Sequence, residues 1–200
     1  MGGRGFAARA GRPLATRASR AQPRHACEHA RMAGLRIVTV TVSDTRTAAD
    51  DASGRALAEE LSAYAVVRHE IVRDEPEHIV SLVRRVMEDD EAEVIVLSGG
   101  TGIAPRDQTF EAVESLFDKR LDGFGEAFRR LSWAEIGPRA MLSRATAGTI
   151  GTRLVFSLPG SEKAVRLGAR ELIAPILGHA VDLAHGRTSH GPAHAEKKHA

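Results

Sequence analysis

Val94-Ile-Val-Leu97, followed at once by Ser98-Gly-Gly-Thr-Gly102 and then by Ile103-Ala-Pro-Arg-Asp107, is the stretch that decides the fold. Four aliphatic residues in a row, three of them β-branched, predict a strand buried on both faces. Glycines directly after it predict a tight turn in which backbone N–H groups approach an anion closely, and Thr101 adds a hydroxyl. The residues fit neither G-x-G-x-x-G nor G-x-x-x-x-G-K-[ST], so the dinucleotide fingerprint and the Walker loop are both excluded. On its chemistry the loop reads as a phosphate or nucleotide cradle. A strand-to-helix turn with no ligand is the bland alternative.

The flanking segments repeat the pattern. Residues 35–42 form a β-branched run ending at polar Ser43-Asp44-Thr45, another buried strand. Residues 53–63 carry Leu57 and Leu61 at helical spacing, with Asp50 and Asp51 near the start. Residues 65–72 read as a strand. Asp74-Glu-Pro-Glu77 then opens a helix with Ile79, Leu82, Val83 and Val86 on one face, and Asp74 with Glu77 fits a capping box. Helices are expected over 109–117, 125–131 and 161–173, and a strand over 153–158. Alternating strands and helices predict an α/β fold, a three-layer sandwich around a mostly parallel sheet. Ligands of such sheets sit beyond the carboxyl ends of the strands, which selects the loops 43–47, 98–107 and 159–161.

Composition narrows the function classes. The 200 residues are 42% apolar, enough for a core, and no apolar run approaches the roughly 18 residues of a membrane span. A single cysteine, Cys27, excludes a disulfide framework or multi-cysteine zinc site and points to a reducing, cytoplasmic setting. Aromatics at 4% leave no stacking platform for single-stranded nucleic acid. Residues 1–31 hold seven arginines and one acid, a net +6. The whole chain is +2, so the remainder is 2 − 6 = −4. The basic character resides in that Arg/Ala/Gly-rich segment, which lacks apolar periodicity and reads as a disordered extension; a transit peptide or nucleic-acid arm has the same composition. The domain is expected over 32–185, and 186–200 as a polar, His-rich tail.

Single residues stay ambiguous on their own. Asp107 and Asp74 each read as helix caps or as carboxylates holding Mg²⁺ against a polyphosphate. Arg46 suits a phosphate, while Ser43-Asp-Thr-Arg-Thr47 equally makes a polar turn capped by Asp44. Ser161 reads as an N-cap, Glu126 as a surface helix acid, and Phe124, Phe128 and Trp133 as core or subunit contacts.

Taken together the motifs resemble one family. Ser43-Asp-Thr-Arg-Thr47, Arg73-Asp-Glu75, Ser98-Gly-Gly-Thr-Gly102, Arg106-Asp-Gln-Thr109, Gly123-Phe-Gly-Glu126, Ser143-Arg144 and Pro159-Gly-Ser161 follow in the order of the MoaB/MogA molybdopterin-binding family of molybdenum cofactor biosynthesis. Leu131-Ser-Trp-Ala-Glu-Ile-Gly137 and Ser143-Arg-Ala-Thr-Ala-Gly148 resemble its MoaB branch. Gln108 departs from the apolar residue expected there. The resemblance implies an α/β sandwich assembled as a trimer or hexamer, and a reaction in which Mg²⁺ and ATP adenylylate molybdopterin. It implies that Asp74 and Asp107 are catalytic and hold the metal. Ser98, Gly99, Gly100, Thr101 and Gly102 are then the phosphate cradle. Ser43, Asp44, Thr45, Glu126, Ser143, Arg144, Pro159, Gly160 and Ser161 contact the pterin. Other molybdenum cofactor biosynthesis proteins are implied as partners. A non-catalytic molybdopterin carrier or scaffold is the alternative role.

Overall fold

Strand β1 (Arg36–Val42) forms where β-branched residues run without interruption, and its residues after Arg36 are all buried. The computed structural model describes residues 34–187. The 1–31 segment with Cys27, and the tail from residue 188, lie outside the described residues. After β1 come α1 (Ala52–Glu60), β2 (Ala65–Val72), α2 (Pro76–Glu88), β3 (Val94–Ser98) and α3 (Thr109–Glu114). The second half contains β4 (Lys119–Arg120), α4 (Asp122–Ile136), a 3₁₀ helix (Gly137–Leu142), β5 (Thr146–Ile150), β6 (Arg153–Leu158), α5 (Glu162–Gly168), a π turn (Ala169–Ile173) and α6 (Leu177–Ala184).

The six strands form one sheet in the order β2-β1-β3-β6-β5-β4. The first four are parallel, and β5 and β4 close the far edge antiparallel. Alternation along each strand divides the core into two layers. Ile37, Val94, Val96, Leu154, Phe156 and Leu158 face α1, α4, α5 and α6. Val38, Val40, Val42, Ile95, Leu97 and Val155 face α2 and α3. Helices on both faces of a mostly parallel sheet make the expected three-layer α/β sandwich.

The apolar stripe of α2 is buried as its spacing predicts: Ile79, Leu82, Val83 and Val86. Each such side chain contributes roughly 1.5–3 kcal/mol of burial. On the other face Phe124 meets Phe156 edge-on at 5.3 Å, and Phe128 is fully buried. Trp133 is instead half exposed.

Several boundaries differ from the sequence expectation. Helix α4 runs longer than 125–131, and α3 ends before residue 117. The helix expected over 161–173 stops at Gly168, where a wider turn begins with Ala174 N–H donating to Ala169 O. Strand β5 was not expected, because Ala147 and Gly148 carry no strand signal. Gly148 is needed there: a Cβ would sit 2.4 Å from the Phe117 ring. Among the described residues no helix is long and apolar enough to cross a membrane.

Candidate functional site

Strand β1 lies between β2 and β3, with α1 on one face of the sheet and α2 on the other. The loops leaving β1 and β3 therefore diverge, and a crevice opens at their carboxyl ends. It forms a cavity of about 560 Å³. Three walls come from the loops predicted by sequence: Ser43–Arg46, Ser98–Gly102 and Pro159–Ser161. A fourth wall comes from α4 and its 3₁₀ continuation, with Phe128, Ser132, Ile136, Arg139, Ala140 and Leu142. Sequence reasoning missed this fourth wall. Its signal was the Phe128/Ser132/Ile136 spacing running into Gly137-Pro138.

The glycine loop is shaped by close packing. Gly99 has φ +116° and Gly100 φ +60°. A Cβ on Gly99 would lie 2.1 Å from the Val42 carbonyl oxygen. On Gly100 it would lie 2.1 Å from Thr109 Oγ1 and 2.4 Å from Asp74 Oδ2. The Gly99 N–H donates to Leu158 O at 2.9 Å, tying the loop to β6. Among the described residues the N–H groups of Gly100, Thr101 and Gly102 have no acceptor. Such a row of free donors is what an anion needs.

The two predicted acids stand at either end of this loop. The capping box expected of Asp74 and Glu77 is absent. Glu75 is the N-cap of α2, without a side-chain bond, and Pro76 begins the helix. Asp74 turns away and accepts from Gln108 N–H at 3.2 Å and Thr109 Oγ1 at 3.3 Å, so it satisfies the start of α3 instead. Burial pushes its carboxyl up, and Asp107 and Glu111 add to this against those hydrogen bonds. Asp107 does not cap α3 either. Its Oδ2 accepts from Ala104 N–H at 2.8 Å and lies 2.6 Å from where a Cβ on Gly102 would stand. Neither carboxylate pairs with a cation among the described residues. These residues include no cluster of three or more metal-ligating side chains. Two carboxylates beside a phosphate cradle still fit Mg²⁺, which takes one or two from the protein and the rest from phosphate and water.

The loop after β1 is organised by other groups than expected. Ser43 Oγ, not Asp44, accepts from the N–H groups of Thr45 and Arg46. Asp44 spans the cavity floor, accepting from Asp74 N–H at 3.3 Å and pairing with Arg106. Arg46 turns inward: it donates to Ser53 Oγ at 2.5 Å, to Asp51 Oδ1 at 3.3 Å and to Gly160 O at 3.1 Å.

Asp51 is the centre of this polar stripe. It caps α1 by accepting from Gly54 N–H at 2.8 Å, and its Oδ2 lies 2.8 Å from His69 Nε2. His69 Nδ1 in turn lies 2.9 Å from Thr39 Oγ1. Burial pushes the Asp51 carboxyl up, but the Gly54, His69 and Ser53 hydrogen bonds outweigh it and hold the pKa at about 2, against an ordinary 3.8. A depressed folded-state pKa means stability that is full above the unfolded value and is lost as pH falls through the folded one. Asp51 therefore contributes about 2 kcal/mol that disappears between about pH 4 and pH 2. Asp51→Asn is expected to flatten that acid limb, as read from urea unfolding across the same range. An unchanged pH slope would contradict the assignment.

Two residues assigned to the pterin by resemblance do not line the cavity. Glu126 is on the exposed side of α4. Arg144 is held behind the glycine loop, donating from Nε to Gly102 O at 2.7 Å and from Nη2 to Asp107 O at 2.8 Å. It also pairs with Glu111 and stacks 5.1 Å over Phe110. Its fork is spent on backbone carbonyls, so it positions the loop. Ser43, Asp44, Thr45, Ser143, Pro159, Gly160 and Ser161 do line the cavity. Ser161 also caps α5, accepting from Ala164 N–H at 3.3 Å.

The chain is similar to known proteins. A family described as a probable molybdopterin binding domain matches residues 38–179. The chain is 49% identical over 148 residues to molybdenum cofactor biosynthesis protein B of Bacillus cereus, covering 72% of this chain and 88% of that one. A solved structure of a molybdenum cofactor biosynthesis protein B superposes with a TM-score of 0.74 at 47% identity, over 76% of this chain and 97% of its own. The tungsten cofactor synthesizing protein MoaB from Pyrococcus furiosus gives 0.68 at 39%, over 78% and 98%.

Proposed function

Because this chain belongs to the family of probable molybdopterin binding domains, in its molybdenum cofactor biosynthesis protein B branch, we propose that it binds molybdopterin in the cavity and adenylylates it with Mg·ATP. The observation that carries the reading is the pair of cation-free carboxylates, Asp74 and Asp107, at the two ends of a loop of free N–H donors. Acids facing a phosphate cradle repel the ligand unless a divalent cation joins them. A site built only to carry an anionic pterin has no use for both.

In this reading the terminal phosphate oxygen of molybdopterin attacks the α-phosphorus of ATP. The bond from that phosphorus to the bridging oxygen breaks, and pyrophosphate leaves with the electron pair. Asp74 and Asp107 would hold Mg²⁺, which when bound would supply charge neutralisation of the triphosphate. The N–H groups of Gly100, Thr101 and Gly102 take the phosphate oxygens, and Arg144 keeps those donors in place from behind. Ser43, Thr45, Ser143 and Ser161 present hydroxyls to the pterin. Phe128, Ile136, Ala140 and Leu142 give its ring an apolar wall. Positioning and electrostatics carry such a transfer, with no covalent protein intermediate. Mass spectrometry of the pterin after incubation with Mg·ATP tests the product. A pterin heavier by one adenylyl group is expected, and an unmodified, bound pterin would make the protein a carrier.

The protein is further proposed to act in the cytoplasm as a homo-oligomer, a trimer or hexamer. The support is exposed apolar surface on α4 and the 3₁₀ helix outside the cavity: Trp133 and Met141. Sedimentation is expected to give a multiple of the 21.5 kDa chain mass. A monomer at micromolar concentration would contradict this.

A further inference from the structure

Three arginines line the cavity, Arg46, Arg106 and Arg139. Two of them are already engaged. Arg46 is held by Asp51, Ser53 and Gly160 O, and Arg106 by Asp44. Arg139 has no hydrogen bond and no ion pair among the described residues. Its charge is the one guanidinium in the cavity that no carboxylate offsets.

The position of Arg139 is built into the backbone. Helix α4 ends at Gly137 with φ +59° and ψ −142°, a region only glycine enters without strain. Pro138 then starts the 3₁₀ helix at its first turn, where the missing N–H costs nothing. Ala140 anchors that helix with no exposed surface. The chain is thereby folded back along the cavity, and Arg139 lines it between Ile136 and Leu142. The fixed backbone places the base of the side chain at the cavity; the exposed guanidinium still gives up rotamer freedom when it takes a ligand, and its planar fork limits that loss per hydrogen bond formed.

The remaining charges give this cation a task. With the Arg46–Asp51 and Arg106–Asp44 pairs neutral, the cavity keeps two bare carboxylates, Asp74 and Asp107, and one bare guanidinium. The carboxylates take a phosphate only through a metal ion. The guanidinium takes one directly, by a two-pronged bond.

We propose that Arg139 is the cavity's metal-independent phosphate-binding residue, receiving a phosphoryl group of the ligand at the wall formed by α4 and its 3₁₀ continuation. Phosphate recognition is the shared chemistry. Molybdopterin and ATP both carry it, and which of them uses Arg139 rests on the adenylylation reading above. The phosphate contact itself does not.

Calorimetric titration of the full chain tests this with three probes: pyrophosphate in EDTA, molybdopterin in EDTA, and Mg·ATP. Wild type, Arg139→Ala and Arg139→Lys are compared. Arg139→Ala is expected to weaken pyrophosphate binding about ten- to a hundredfold, the loss of a charge-assisted pair. Arg139→Lys is expected to fall between it and wild type, since it keeps the charge and loses the fork. Thermal unfolding of both variants is expected to match wild type, because Arg139 has no partner to lose. A matching loss with molybdopterin or with Mg·ATP identifies the substrate whose phosphate it holds. Pyrophosphate binding that depends on Arg139, in a protein that binds neither substrate, leaves the phosphate contact standing and removes the adenylylation reading. Substrate binding that Arg139→Ala leaves unchanged, or no pyrophosphate binding by wild type in EDTA, overturns the proposal and spares that reading.

Discussion

Asp107→Ala is expected to lower pterin-dependent turnover by on the order of 10²–10³-fold while changing molybdopterin affinity only a few-fold. The acid sits at the end of the glycine loop and has no cation of its own, so its charge is free to hold Mg²⁺ on the triphosphate. Losing a charge that acts mainly in the transition state falls on kcat and spares uniform binding. A comparable loss follows from removing one oxyanion-type donor, about 3–4 kcal/mol. Asp107 also has a structural bond, from Ala104 N–H to Oδ2. Asp107→Asn separates the two roles, since the amide oxygen still accepts that bond but carries no charge. Both variants are expected to fail alike. An active Asp107→Asn would show that the carboxylate serves the turn and not the metal. Asp74→Asn is expected to behave similarly, with a smaller change, because burial already disfavours its charged form.

The largest loss of stability is expected from Gly99→Ala. Its Cβ would meet the Val42 carbonyl oxygen at 2.1 Å, and that oxygen belongs to the end of β1 in the middle of the sheet. A flexible side chain could swing aside, but this backbone is held by strands on both flanks. The φ of +116° adds strain for any L side chain. Together the two effects cost roughly 3 kcal/mol or more, read as a drop in the urea midpoint at unchanged slope. Gly100→Ala is expected to cost less stability but as much activity. Its obstacles are the Asp74 carboxylate and the Thr109 hydroxyl, which can move only by leaving the site. A Gly99→Ala variant within 1 kcal/mol of wild type would mean the loop leaves β3 by another path.

The parallel half of the sheet was legible because its information is local. Residues 35–42 and 94–97 announce strands by runs of β-branched and aliphatic residues, residues 65–72 by Val66, Val67, Ile71 and Val72, and the stripe of α2 by its spacing. The loops at their ends then fall on one rim by topology alone. The antiparallel edge was not legible, because Gly148 is chosen for the ring of Phe117 that covers it and not for strand propensity. Asp74 misled for a related reason. Its spacing to Glu77 satisfies the capping-box rule, yet Pro76 begins that helix and the carboxylate finds donors at Gln108 and Thr109, on another element. Arg144, a pterin contact by resemblance, has its three nitrogens spent on Gly102, Asp107 and Glu111. Arg139 gave no signal at all, since an arginine in a surface segment gains meaning only from what its neighbours leave unpaired.

The central question is whether the carboxylates and the glycine loop turn over a nucleotide. Pyrophosphate release from Mg·ATP, with and without molybdopterin, tests that most directly, with wild type beside Asp107→Asn. One pyrophosphate is expected per pterin consumed, none without pterin, and almost none from the variant. Molybdopterin bound by wild type with no pyrophosphate released would contradict that expectation, and would leave a cavity that holds the pterin without activating it.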